Sequence, residues 1–183
     1  MSRPPVYLDY HSTTPVDPRV LEVMLPYFTE TFGNPASSSH AWGWKAQEAV
    51  EESRRRVAAL IGASAREVIF TSGATESNNW AIKGVAALSP ESRRHIVCSA
   101  IEHKCVLEVC KSLEKAGWSV TVLPVNRDGR ISLETLAGVV TESTALVSIM
   151  WANNEIGVLQ PMAEIVEIAH AKGALVHTDA AQA

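Results

Sequence analysis

The sequence contains little cysteine, and the cysteines it has show no pairing pattern. Three are too few for a disulfide framework, and none belongs to a C-x-x-C motif: Cys98, Cys105 and Cys110. This excludes a small disulfide-stabilised secreted domain and favours a reduced, cytoplasmic setting. The six histidines are scattered and match no H-E-x-x-H or similar spacing, so we predict no metal site.

The chain also lacks long apolar runs and an excess of positive charge. No stretch approaches the roughly 18 apolar residues of a membrane span, and the segment after Met1 does not resemble a signal peptide. The net charge is −4, and the basic run 54–56 follows Glu51 and Glu52. That arrangement is typical of a solvated helix face, so we expect neither a membrane nor a direct nucleic-acid partner.

The 183 residues, 46% of them hydrophobic, are enough for one domain with a real core. The N-terminal part reads as helical. A first helix is predicted over 17–32, with a kink or break at Pro26, and a second over about 40–60. The loop-like segment 33–39 separates them.

From residue 67 onward, predicted strands alternate with predicted helices. The strands cover 67–70, 95–98, 118–124, 145–150 and 174–178. The helices cover 75–87, 104–116, 132–141 and 161–172. This alternation predicts an α/β fold with a mostly parallel sheet and helices on both faces.

In such sheets, ligands bind beyond the carboxyl ends of the strands. Polar side chains follow the predicted strands there: Ser72 to Ser77, Glu102 and His103, Asn153 to Glu155, and Asp179 and Gln182. Each has an ordinary alternative role. Asp179 fits a helix cap or an ion pair, His103 a local hydrogen bond, and the amides of Asn154 and Gln182 fit turns.

The segment 69–79 carries the strongest local pattern, an apolar strand end, a small-residue turn and a helix start. The first backbone N–H groups of a helix have no internal partners and can bind an anion. Gly73 allows close approach of a ligand, and Ser72, Thr75 and Ser77 add hydroxyl donors. A simple helix cap is the alternative, since the turn matches neither a P-loop nor a G-x-G-x-x-G motif.

Taken together, these segments resemble the cysteine desulfurases, the pyridoxal-phosphate (PLP) enzymes of the class-V aminotransferase family related to NifS and IscS. The resemblance runs from Val6 to Ala183. Its markers are LDY at 8–10, TTP at 13–15, FGNPAS at 32–37, FTSGATES at 70–77, EHK at 102–104, VSIM at 147–150, NNEIG at 153–157 and HTDAAQ at 177–182.

The resemblance implies a role for each candidate residue. Ala74 and Thr75 hold the PLP phosphate, His103 stacks on the pyridine ring and transfers protons, and Asp179 pairs with the pyridine nitrogen. Asn154 and Gln182 lie by the phenolic oxygen of the cofactor.

The implied fold is the large domain of the aspartate-aminotransferase-like PLP enzymes. The implied reaction moves sulfur from L-cysteine to an enzyme cysteine as a persulfide and releases alanine. The sulfur then goes to an iron–sulfur scaffold or to tRNA thiolation. A homodimer is implied as well.

The resemblance also implies that residue 183 precedes the Schiff-base lysine and the persulfide cysteine of the family. We therefore expect a truncated PLP domain over 63–183, a helical segment over 16–62 and an arm over 1–15 that belongs to the small domain. The isolated chain would be inactive and would need a complementary C-terminal half. The alternatives are a non-catalytic fragment or regulatory paralogue, and a selenocysteine lyase-like PLP enzyme.

One pair of residues imitates the missing groups. Lys104 follows His103 as the Schiff-base lysine follows a histidine in the family, and Cys105 comes next. The predicted helix over 104–116 places Cys105 among packing residues, where a cysteine usually acts as a small hydrophobe. We therefore expect neither residue to replace the lysine or the nucleophile.

Overall fold

The computed structural model describes residues 5–183, which form two compact units that meet in sequence between Phe70 and Thr71. Residues 1–4 of the predicted arm lie outside the described residues. The predicted boundary between 62 and 63 stays a prediction.

The first unit is helical. It contains α1 (Pro18–Met24), α2 (Pro26–Thr29), α3 (Ala41–Leu60) and a 3₁₀ turn at Ala65–Glu67. The carboxylate of Asp17 accepts the backbone N–H of Arg19 and so caps α1. Because proline lacks an N–H, Pro26 ends α1 and opens α2, which confirms the predicted break.

The predicted strand over 67–70 is wrong. Glu67 closes the 3₁₀ turn, and Val68 is extended but pairs with no strand among residues 5–183. Its carbonyl accepts instead from the guanidinium of Arg54 on α3. Apolar β-branched residues therefore identified an extended segment here, but a strand also needs a neighbour to complete its backbone hydrogen bonds.

The second unit alternates strands and helices. After α4 (Ala74–Leu88) come β1 (His95–Ser99), α5 (Lys104–Lys115), β2 (Ser119–Leu123), α6 (Leu133–Val139), β3 (Thr144–Ser148), α7 (Met162–Ala171) and β4 (Leu175–His177). The four strands pair in parallel in the order β2-β1-β3-β4. The predicted alternation is confirmed, with shifts of a few residues at the ends of elements.

Helices cover both faces of this sheet. Successive residues of a strand point to opposite faces, and the two core clusters follow that rule. On one face, side chains of β1 and β3 pack with α4 and α5: Ile96, Cys98, Leu146, Ile82 and Val106. On the other, they pack with α6 and α7: Val97, Val147, Leu136, Ile165 and Ala169. The predicted two-faced α/β architecture is therefore confirmed.

The central strand β3 has all five residues buried. Because the strands are parallel, their carboxyl ends lie along one edge of the sheet. The segments that follow β1, β3 and β4 therefore start at that edge: 100–103, 149–155 and 178–182. Among the helices of residues 5–183, none is both long enough and apolar enough to cross a membrane.

Candidate active site

The turn before α4 presents unpaired backbone donors. Gly73 is the N-cap, with φ 154° and no side-chain capping bond. Within residues 5–183, the backbone N–H groups of Ala74 and Thr75 have no hydrogen-bond partner. A Cβ at Gly73 would meet nothing within 4 Å, so the approach to these donors is open. A helix start of this kind can bind an anion such as a phosphate.

Other polar groups of the same turn are already engaged. The carboxylate of Glu76 accepts both the N–H and the hydroxyl of Ser72, each at 2.7 Å, and these bonds lower the pKa of Glu76. The hydroxyls of Thr71 and Ser77 bond each other at 2.7 Å. Ser72 and Ser77, expected as ligand donors, therefore stiffen the turn in this conformation.

His103 follows β1 and caps α5. Its Nδ1 accepts the backbone N–H of Cys105 at 3.2 Å and lies 3.0 Å from the Sγ of the same residue. Because Nδ1 accepts the backbone proton, the ring proton of the neutral imidazole belongs on Nε2. His103 and Thr75 also line one groove of about 500 Å³, together with Asn79, Lys83 and Cys105.

Asp179 lies two residues beyond β4 and is buried, with 7% of its surface exposed. Oδ2 accepts the side-chain N–H of Asn78 at 2.7 Å, and Oδ1 accepts the backbone N–H of Ala181 at 3.1 Å. No lysine or arginine forms an ion pair with it in the described part of the chain. A buried carboxylate held only by neutral donors is suited to a cationic ligand group.

Asn154 and Gln182 lie in the loops that follow β3 and β4. Asn153 organises the first loop: its Oδ1 accepts two backbone N–H groups at 2.9 Å, and its Nδ2 donates to the carbonyl of Ile101. Asn154 is half-buried on this loop. Gln182 is exposed in the turn after Asp179. The roles expected for Asn154 and Gln182 stay predictions.

Glu102, next to His103, is a second buried acid. Its Oε1 accepts the hydroxyl of Ser99 at 2.6 Å and the N–H of Met150 at 2.9 Å. Its Oε2 is buried and has no partner within the described residues. Burial raises the pKa of Glu102 to about 7, and the charge of Asp179 adds to that effect. This carboxyl therefore titrates near neutral pH.

Hydrogen bonds join two of the six predicted site residues, Asp179 and His103, through two residues for which the sequence predicts no part in the site. Asn78 Nδ2 contacts both Asp179 and the Sγ of Cys105, at 3.2 Å, and Cys105 contacts His103. The expectation that Cys105 is only a packing residue is therefore incomplete, because this buried thiol also makes polar contacts. Among the hydrogen bonds of residues 5–183, none ties Asn154 to this group.

One sequence signal could have identified Asn78. It lies four and seven residues before Ile82 and Val85, on the helix face that packs onto the sheet. A polar residue on an apolar face needs a buried partner. Lys104, by contrast, is exposed at the first position of α5. Within residues 5–183, no group of three or more His, Cys, Asp or Glu side chains is placed to hold a metal ion.

Comparison with known proteins identifies the family of this chain. A model of the family described as "Aminotransferase class-V" matches residues 6–183. A cysteine desulfurase IscS of Rickettsia akari (strain Hartford) is 58% identical over 178 residues, which are 97% of this chain and 43% of that protein. The chain thus spans less than half the length of this relative.

Solved structures give the same result. One described as a "NIFS-LIKE PROTEIN" superposes with a TM-score of 0.93 at 45% identity, covering 97% of this chain and 49% of that one. Another, described as "SspA in complex with cysteine", has a TM-score of 0.91 at 41% identity, covering 97% and 51%. The fold seen here is therefore that of the NifS-like proteins over the matched residues.

Proposed function

Because this chain belongs to the class-V aminotransferase family, we propose that it forms the N-terminal part of a cysteine desulfurase dependent on pyridoxal 5'-phosphate. The proposed reaction removes sulfur from L-cysteine and gives alanine and an enzyme persulfide. That persulfide would serve iron–sulfur cluster assembly or tRNA thiolation. The likeness to the solved structure described as "SspA in complex with cysteine" supports the substrate.

The environment of Asp179 carries the proposal. Each carboxylate oxygen accepts one bond from a neutral donor, from Asn78 or from Ala181. A carboxylate has about four acceptor positions, so one remains free on each oxygen. A protonated pyridine nitrogen is a cationic donor that fits a free position, and the charged pair would be stronger than a bond between neutral groups.

The turn at α4 fits the phosphate of the same cofactor. The free N–H groups of Ala74 and Thr75 and the positive end of the helix dipole favour an anion. The open space beside Gly73 leaves room for it. Asp179 and this turn are connected through Asn78, which belongs to the second turn of α4.

The other predicted residues complete the site. PLP, when bound, supplies an electron sink for the carbanion that forms on the substrate. His103, held by its Nδ1 at the start of α5, offers Nε2 for proton transfer and its ring face for stacking. The amides of Asn154 and Gln182 would donate to the phenolic oxygen of the cofactor.

We propose that the lysine that binds PLP covalently and the cysteine that accepts sulfur come from a C-terminal part, in the same polypeptide or in a separate one. The chain without that part would be inactive. A homodimer in the cytoplasm, with an iron–sulfur scaffold or another sulfur-acceptor protein as partner, completes the proposal. It includes no membrane and no direct nucleic-acid contact.

Replacing Asp179 by asparagine tests the proposal in the whole enzyme that contains this chain. Asp179→Asn keeps the shape but removes the charge. PLP should remain bound through the α4 turn, while turnover per bound PLP falls about a hundredfold, or about 2.7 kcal/mol of barrier. Cofactor absorbance and alanine formation from L-cysteine measure the two quantities. Asp128→Asn, at an exposed turn, is the matched control.

The possible outcomes separate the alternatives. An Asp179→Asn enzyme with full PLP occupancy and unaltered turnover would show that Asp179 is only a structural acid. An unaltered enzyme that binds PLP but releases no alanine from cysteine would support the non-catalytic paralogue. Alanine release from selenocysteine but not from cysteine would support the selenocysteine lyase-like alternative.

A further inference from the structure

Asn78 is a buried amide with no role so far. It lies on α4 with 4% of its surface exposed. Its Nδ2 donates to Asp179 Oδ2 at 2.7 Å, and its Oδ1 lies 3.1 Å from His177 Nε2. Both branches of the amide are therefore used, and one of them holds the carboxylate proposed to pair with the cofactor ring.

These partners fix the orientation of the amide and the proton on His177. An ionised carboxylate can only accept, so the NH₂ group of Asn78 faces Asp179 and the carbonyl faces His177. An amide oxygen also only accepts, so Nε2 of His177 carries a proton. Nδ1 then accepts the hydroxyl of Ser148 at 2.8 Å. Burial lowers the pKa of His177, in agreement with a neutral ring.

A second contact of Asn78 leads to His103. Nδ2 lies 3.2 Å from the Sγ of Cys105, and that thiol lies 3.0 Å from His103 Nδ1. Because Nδ1 accepts the backbone N–H of Cys105, it carries no proton of its own, so the thiol is the donor in this contact and shares the lone pair of Nδ1. Asn78 thus touches both the carboxylate and the thiol beside the imidazole.

We propose that Asn78 is a positioning residue that aims Asp179 at the cofactor ring and links it to His177 and Cys105. This inference rests on the proposed function. A neutral donor is suited to the task because it fixes the direction of Asp179 Oδ2 and leaves the negative charge uncompensated. A lysine or arginine at this position would neutralise the charge that the ring needs.

A purely structural role at this position would not need an amide. A buried amide is costly unless its hydrogen bonds are made, and an apolar residue would pack at this position beside Ile82. The amide instead makes contacts at the carboxyl edge of the sheet, with residues that follow β1 and β4. That placement is what a positioning role requires.

Asn78→Asp is the most informative variant. It replaces the N–H donor by a carboxyl group beside Asp179, and two carboxylates in contact cannot both ionise. The single negative charge of the pair can then lie on the group in contact with His177, so the pKa of His177 should rise. NMR of histidine-labelled chain measures that pKa without the cofactor. Asn126→Asp makes the same change in an exposed turn, where Oδ1 can still accept the backbone N–H groups of Asp128 and Arg130, and is the matched control.

In the holoenzyme, Asn78→Asp and Asn78→Ala should retain bound PLP but lose roughly tenfold in turnover per bound PLP. The pH dependence of the cofactor absorbance should shift in both, because Asp179 has lost its donor. Asn126→Asp should show neither change. Asn78→Ala covers the case in which Asn78→Asp fails to fold.

The outcomes distinguish a failure of the inference about Asn78 from a failure of the proposed function. Asn78 variants that match Asn126→Asp in turnover and absorbance, in an enzyme that binds PLP and converts cysteine, would overturn the inference alone. An unchanged pKa of His177 in folded Asn78→Asp would also overturn it, whatever the cofactor does. An unaltered enzyme that does not bind PLP would overturn the proposed function and this inference with it.

Discussion

The two compact units use their apolar side chains in opposite ways. In the second unit, strands and helices bury two clusters, one on each face of the sheet. In the first unit, α1 and α2 bury no side chain, and α3 buries only three small residues, Gly43, Ala46 and Ala58. The second unit is therefore organised by a core, and the first by local bonds.

The apolar residues of the first unit remain at the surface of the described chain. Exposed among them are Val6, Leu8, Val23, Phe28, Phe32, Trp42, Trp44, Leu60 and Ile61. Caps and ion pairs support its helices, such as Asp17 with Arg19 and Glu52 with Arg56. Exposed ion pairs contribute little to stability. Large exposed apolar patches are typical of surfaces that bind another part of a protein or a partner.

The first prediction tests this contrast with one substitution made in both units. Leu146 of β3 is fully buried between helices, with 1% exposed, and Leu21 of α1 is 44% exposed. Leu146→Ala should lower the free energy of unfolding by about 4 kcal/mol, since it leaves a cavity. Leu21→Ala should change it by less than about 0.5 kcal/mol. Urea unfolding of both variants measures the difference.

A large loss in the free energy of unfolding for Leu21→Ala would contradict the contrast between the two units. It would mean that α1 is covered in solution, by a second copy or by another part of the protein. Repeating the measurement at several protein concentrations separates these cases, because only a cover formed by a second copy depends on concentration.

The fold of the second unit could be predicted because its patterns are local and repeated. Strands such as β1 and β3 are short apolar runs between amphipathic helices, and that alternation specifies a parallel sheet. The failure at 67–70 has the opposite cause. Whether an extended segment becomes a strand depends on a partner distant in sequence, which no local pattern reveals.

The site was predictable in part for the same reason. The strand ends and the family motifs indicated Asp179 and His103, and the geometry joins them. The apolar face of α4 could have indicated that Asn78 needs a buried partner, but not which one, because a hydrogen bond across 101 residues depends on how α4 packs onto the sheet. The unpartnered Oε2 and raised pKa of Glu102 likewise depend on its burial in three dimensions.

The second prediction concerns the pH dependence that Glu102 gives to the second unit. Its pKa is raised from 4.5 to about 7 in the folded chain, so the folded state binds the proton more tightly than the unfolded state. Stability should therefore fall as pH rises from about 4.5 to about 7, by roughly 3 kcal/mol. Glu102→Gln imitates the protonated acid and should remove this slope. Thermal unfolding at several pH values measures it.

Glu142→Gln is the control for that experiment. Lys172 lowers the pKa of exposed Glu142. The contribution of Glu142 to stability is therefore lost only as pH falls below the ordinary pKa of a glutamate. The Glu142→Gln variant should leave the fall in stability between about pH 5 and about pH 7 unchanged. A fall in stability that survives in Glu102→Gln would contradict the assignment to Glu102. His177 and His95 could not produce that fall, because burial lowers their pKa values and stability rises with pH through their titration.

The smallest expected effect comes from one substitution, serine to alanine, made once in each unit. Ser132 caps α6 by accepting the N–H of Thr135 at 3.2 Å, and α6 carries the fully buried Leu136 into the core. Ser132→Ala should cost about 1 kcal/mol, because the first turn of the helix loses its acceptor.

Ser53 lies exposed within α3, where its hydroxyl bonds the carbonyl of Ala49. Ser53→Ala should be neutral or slightly stabilising, since alanine is the better helix former. Equal costs at the two positions, measured by urea unfolding, would show that α3 is coupled to the folded core as tightly as α6.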